Sequence, residues 1–188
     1  MLSGRRAQAA RNDQLILDAA RAVFNADPAA PIAAVAEHAG VGISALYRRY
    51  RSKEDLLRQL AREGLERYIA DLSVALEAPG DPWVALCGLM QRTVAAGSAP
   101  LSLRFEGLEE QARGLTAQLL DRVRAAHEIR PEIEVADIAL LFDLLRSMPA
   151  EHLRHRYLGL LLDALNFLSL HPLPGPAPSM EDVCPRGR

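Results

Sequence analysis

Between positions 48 and 53 the chain places Arg48, Arg49, Arg51 and Lys53, with Ser44, Tyr47 and Tyr50 before and among them. A guanidinium is a permanent cation with a planar fork of donors, chemistry suited to anionic oxygens and above all to phosphate. A run of charge is more often just a solvated surface, so the element that carries it decides its meaning. Other chemistry is thin. His38, His127, His152, His155 and His171 form no metal-ligand spacing with carboxylates, and His152 with His155 lacks the glutamate of a helical zinc site. There is no Gly-rich phosphate loop and no GxSxG nucleophile. Cys87 and Cys184 suggest neither a disulfide framework nor a metal cluster. No catalytic residue, cofactor or metal is therefore expected; a helical enzyme or carrier would need a polar constellation that this sequence does not offer.

Composition narrows the fold. With 188 residues, 49% hydrophobic and 5% aromatic, the chain can bury a sizeable core and favours packed helices over strands. An all-α protein is expected. The net charge of −2 conceals an asymmetry: residues 1–60 hold nine Arg or Lys against six Asp or Glu, and residues 61–188 hold thirteen against eighteen. A basic first third on an acidic remainder fits a chain that meets phosphate at one end. No apolar stretch is long enough for a membrane span, and Met1 to Arg11 lacks the apolar region of a secretory leader. A cytoplasmic protein without a membrane partner is the expectation.

Residues 1–12 carry Arg5, Arg6 and Arg11 without apolar periodicity and read as a flexible basic arm. Asn12 or Asp13 can cap a first helix whose Leu15, Ile16, Ala19, Ala20, Val23 and Phe24 form a core-facing stripe, ended at Asn25 to Pro28. A short helix from about Ile32 to Ala39 stops at Gly40, and another runs to about Tyr50. Ser52 caps a long helix, with Leu56, Leu57, Leu60, Leu65, Ile69, Leu72 and Leu76 in helical register until Pro79 and Gly80. Further helices are expected at roughly 82–96, 101–109, 111–128, 134–147 and 150–169. The tail from His171 holds five of the twelve prolines and reads as disordered. Two short helices around Gly40 make a helix-turn-helix, a unit that lays its second helix in the DNA major groove.

Ala39-Gly40-Val41, Leu46-Tyr47, the aromatic Tyr50, Ser52-Lys53-Glu54 and Leu56-Leu57 together resemble the N-terminal signature of the TetR family. A bare helix-turn-helix would not require the Leu-Tyr and Ser-Lys-Glu elements together. The resemblance covers about residues 13–60. It implies a three-helix DNA-binding head joined by a long helix to a C-terminal helical domain that binds a small-molecule effector and dimerises. The corresponding domains are 1–12, the arm; 13–52, the head; 53–170, the effector and dimerisation domain; and 171–188, the tail.

Carried over by position, Gly42, Ile43, Ser44, Ala45, Tyr47 and Arg48 lie on or near the DNA side. Arg48 is the base reader, able to pair with guanine O6 and N7, while Ile43 suits a thymine methyl. Tyr47 and Lys53 correspond to phosphate clamps, and Tyr50 to a buried aromatic. Two positions depart from the family pattern: Pro31 stands where a phosphate-binding threonine is frequent, and Ser44 replaces a common glycine. The last helix, at 150–169, carries more apolar surface than its own core can take, and with the resemblance this makes a homodimer through the last two helices, 134–147 and 150–169, the expectation. The effector cavity is placed by resemblance among Trp83, Leu86, Met90, Thr93, Phe105, Leu108 and Phe142, with Arg104, Glu109 and Arg113 as polar anchors. Plain core packing is the alternative for each apolar one. The functional expectation is a repressor released from double-stranded operator DNA by an effector. The alternative is a dimeric DNA binder whose C-terminal domain only dimerises or binds a protein.

Overall fold

A computed structural model describes residues 2–97, 105, 107–126, 128–166, 173–179 and 182, with backbone alone for residues 2–10. The described residues fold as eight helices, and the extended pairing among them is an isolated bridge between Ile129 and Asn166. They divide into two compact units, Met1–Ala61 and Arg62–Arg188.

In the N-terminal unit, α1 (Leu2–Ala26) buries Ile16, Leu17, Ala19, Ala20 and Phe24, the three-to-four spacing that puts one face against a core. The basic segment expected as a flexible arm is helical from Leu2 onward. Ala7, Gln8, Ala9, Ala10 and the arginines are strong helix formers, so propensity alone can extend α1 through a segment that lacks apolar periodicity. Asn12 and Asp13 are accordingly interior to α1 rather than caps. Next, α2 (Ile32–His38) buries Ile32, Val35 and Ala36. Gly40 closes it with φ +66, a conformation that costs a side-chain-bearing residue energy. The N–H of Val41 donates to the Ala36 carbonyl at 3.0 Å and that of Gly40 to Glu37 at 3.1 Å, the paired bonds of a Schellman ending. After this turn α3 (Ile43–Arg49) buries Leu46, and Tyr50 follows it into the same core.

The helix α4 (Lys53–Glu77) starts where the Ser52 hydroxyl accepts from the N–H of Asp55 at 3.1 Å. The units divide at Ala61 and Arg62 rather than at the expected 52/53 boundary. Leu56 is fully buried in the N-terminal core and Leu60 packs against it, so the first turns of α4 belong to the head.

In the C-terminal unit, α5 (Pro82–Ala95) is capped by Asp81, whose carboxylate accepts from the N–H groups of Trp83 and Val84, with Pro82 at the first helical position. It is followed by α6 (Leu108–Ala125), α7 (Val135–Arg146) and α8 (Glu151–Leu165). A capping box of Glu134 and Asp137 opens α7. Leu72, Leu86, Leu89, Met90, Leu119, Leu120, Ile138, Leu145 and Leu158 form the centre of one apolar core. Of the expected helix at 101–109, residues 101–104 and 106 lie outside the described residues, and Leu108 and Glu109 begin α6. The last helix ends at Leu165, short of the expected 169. There Asn166 turns extended and the N–H of Arg130 takes the Leu165 carbonyl at 3.1 Å. Most of the tail lies outside the described residues; within it the Asp182 carboxylate accepts from Ser179, which holds its carboxyl below the usual range.

Candidate nucleic-acid interface

The short helix α3 has two unlike sides because its apolar residues recur at helical spacing. Leu46 is fully buried and Tyr50 nearly so, whereas Ile43, Ser44, Tyr47 and Arg48 are exposed, with Tyr47 at 49% and Ile43 at 40%. Ala45 is half-buried at the edge, and Gly42, the cap residue of α3, is exposed with open space around its α-carbon. The structure thus leaves five of the sequence-predicted DNA-facing residues, Gly42, Ile43, Ser44, Tyr47 and Arg48, exposed on the head, with Ala45 half-buried among them. Arg48 has no ion pair among the described residues, and Arg51, exposed just beyond α3, is alike in this.

The other two cations of the run are engaged within the protein. Arg49 Nε donates to the Asp13 carboxylate at 2.7 Å, and its guanidinium lies 5.4 Å from the Tyr50 ring centroid. The hydrogen bond to Asp13, opposed by partial desolvation, holds the Arg49 pKa above its ordinary value. Lys53, expected as a phosphate clamp, points inward. Its Nζ donates to the carbonyls of Pro28 at 3.0 Å and Ala30 at 2.7 Å and sits 4.9 Å from the Phe24 ring centroid. The first turn of α4 already holds Glu54 and Asp55, which complement its positive end. The Glu54 carboxyl is held below its usual pKa by its own backbone N–H and the Ser52 hydroxyl. Pro31 caps α2 with extended geometry and no side-chain donor.

The residues placed by resemblance around an effector fall in the C-terminal core. Leu86 and Met90 are fully buried, and Trp83, Phe105, Leu108 and Phe142 pack against the same cluster. The buried Thr93 hydroxyl donates to the Leu89 carbonyl at 2.8 Å. Arg104 lies outside the described residues. Glu109 accepts the N–H of Phe105, and Arg113 lies exposed 3.9 Å from Glu110.

Sequence reasoning missed one buried polar pair. The hydroxyls of Tyr68 and Thr116 meet at 3.1 Å, and the Tyr68 ring stands edge-on to Phe142. Since Thr116 gives its proton to the Ala112 carbonyl, Tyr68 is the donor in the pair. Burial pushes the Tyr68 phenol up to about 12. The visible signal was that Tyr68 falls in register with Leu65, Ile69 and Leu72. On the surface of this unit, Leu144, Tyr157 and Leu160 are exposed, and a groove of about 430 Å³ runs between Leu140, Leu141 and Leu144 of α7 and Leu161, Ala164 and Leu165 of α8.

Residues 16–60 match the bacterial regulatory proteins of the tetR family. Over 72 residues the chain is 42% identical to the HTH-type transcriptional repressor LfrR of Mycolicibacterium smegmatis, a segment that covers 38% of this chain and 35% of that repressor. The match thus spans about a third of that relative's length. Among solved structures, a TetR transcription regulatory protein from Mycobacterium vanbaalenii aligns with TM-score 0.57 and 26% identity, covering 86% of this chain and 98% of that one. LfrR in complex with proflavine aligns with TM-score 0.59 and 24% identity over 86% of this chain and 99% of that one, which speaks to the fold. Residues 16–60 thus form an N-terminal domain like that of the tetR regulatory proteins, and the chain shares its all-helical fold with TetR regulators of known structure.

Proposed function

We propose that this chain is a regulator of the TetR family that binds a specific double-stranded DNA operator as a cytoplasmic homodimer and represses transcription until a small molecule releases it. The observation that carries the DNA reading is the division of α3, with Leu46 buried and Arg48, Tyr47, Ser44 and Ile43 exposed. A helix held by one side and bare on the other is what the major groove admits, and the exposed guanidinium of Arg48 has the donor fork that suits guanine. Tyr47 serves as a phosphate contact, with Gly42 and Ala45 letting the helix approach closely. The exposed Leu144, Tyr157 and Leu160 support a dimer through α7 and α8, since unpartnered apolar side chains there gain from a second copy.

Two facts support an effector: a related repressor has been solved with proflavine, and this chain sets Trp83, Phe105 and Phe142 around one core. The effector would enter between Leu86, Met90 and Thr93 and shift the dimer only by binding one conformation more tightly than the other. The full burial of Leu86 and Met90 favours the second reading, a DNA-binding dimer without a ligand. Selection of bound sequences from random duplex DNA tests the main proposal. A palindromic site with half-sites one helical turn or its multiples apart is expected; binding without sequence enrichment overturns it. Proflavine titrated against the bound operator separates the two readings for that probe: release supports an effector, and undiminished binding with no thermal shift supports the second.

A further inference from the structure

Lys53 sits at the first position of α4, and the groups it holds come from 23 to 29 residues earlier in the chain: the Pro28 and Ala30 carbonyls and the Phe24 ring. The turn between α1 and α2 is poor in backbone donors because Pro28 and Pro31 have no N–H. Within it the N–H of Ala29 goes to the Asp27 carboxylate at 2.9 Å and that of Ala30 to the Asp27 carbonyl at 3.0 Å. An ammonium supplied by α4 therefore meets acceptors that the turn itself lacks the donors to satisfy, and the aromatic face of Phe24 adds to the attraction. Arg49 makes a parallel tie from the end of α3 to Asp13 of α1.

We infer that Lys53 is a positioning residue of the DNA-binding head, a strut that fixes the α1–α2 turn against the start of α4 and so sets the attitude of α3, rather than a ligand of DNA phosphate. The inference rests on the DNA-binding reading for its consequence, though not for its geometry. Within the basic run, attraction to DNA then belongs to Arg48 and Arg51, which make no ion pair among the described residues, rather than to Arg49, which is tied to Asp13.

The test compares wild type, Lys53→Met and Lys53→Arg in the full chain. One arm follows amide hydrogen exchange at Ala29 and Ala30 against the core amides of Leu46 and Leu56; the other follows DNA affinity between about 50 and 200 mM salt, where each phosphate contact contributes about 0.9 to the logarithmic slope. In Lys53→Met, exchange in the turn rises about tenfold beyond any change in the core, as the loss of charged hydrogen bonds entails. Affinity falls by one factor at every salt concentration, with the slope unchanged, and Lys53→Arg, which keeps donors for both carbonyls, restores both. A slope lowered by about 0.9 with exchange in the turn unaltered overturns the inference and makes Lys53 a phosphate ligand. Should the wild-type chain bind no DNA, the functional reading fails, while the exchange arm still decides whether Lys53 holds the turn.

Discussion

On α3, Leu46 packs and Arg48, two residues on, faces solvent; on α5, Leu86, Leu89 and Met90 all disappear into the core that a ligand would have to enter. On the proposed function the N-terminal unit would assign folding and recognition to different side chains, whereas an effector would require the same side chains of the C-terminal unit to serve both. A recognition surface of the first kind can change without endangering the fold. An interior site cannot, because each wall residue also fills space at close-packed density.

The largest expected effect probes that overlap. Leu86→Ala removes a fully buried side chain and should lower stability by about 2–5 kcal/mol, as should Leu46→Ala in the head. Denaturant unfolding with both variants measures this; a cost well under 1 kcal/mol at Leu86 would mean that the core there is already open, which would sharpen the case for a ligand cavity. Arg48→Ala comes next and should cost about 1–3 kcal/mol in affinity for the specific site with an unchanged unfolding midpoint. If the midpoint falls instead, the separation of roles on α3 is broken.

Tyr68→Phe is smaller. It removes the donor to Thr116 but leaves Thr116 bonded to Ala112, so a loss of about 1 kcal/mol in thermal or denaturant unfolding is expected. The smallest effect concerns Glu128 and Asp81, whose carboxylates both accept from the N–H of Trp83. Desolvation first, and then Asp81, hold the Glu128 carboxyl above its ordinary pKa of 4.5. The folded state therefore binds this proton more tightly than the unfolded one. The associated stabilisation is present below the ordinary value and lost as pH rises through the folded value. Asp81→Asn keeps an acceptor at the cap and should weaken that pH dependence without removing it, as unfolding measured across the acidic range would register.

The same contrast explains what could be read in advance. Apolar spacing gave the eight helices to within a few residues at most ends, since Gly40, Pro28 and Pro79 punctuate the pattern. It failed where the sequence of a helix has no apolar periodicity, as in the alanine- and arginine-rich start of α1. The exposed side of α3 was legible because Leu46 and Tyr50 mark the opposite side by type and spacing. Residue type alone could not show that Lys53 turns inward, because its acceptors are main-chain carbonyls of Pro28 and Ala30, and every residue has a carbonyl. Tyr68 was hidden for a related reason: its partner Thr116 is 48 residues away on α6.

The central claim is that the exposed side of α3 reads DNA sequence and that Arg48 carries the reading. It is tested most directly by the affinity of wild type and Arg48→Ala for the selected operator and for operators changed at each base pair in turn. The account predicts that wild type loses about 1–3 kcal/mol at a particular guanine-containing pair and that Arg48→Ala no longer distinguishes that pair. An Arg48→Ala protein that retains the wild-type pattern of discrimination at every position would contradict it.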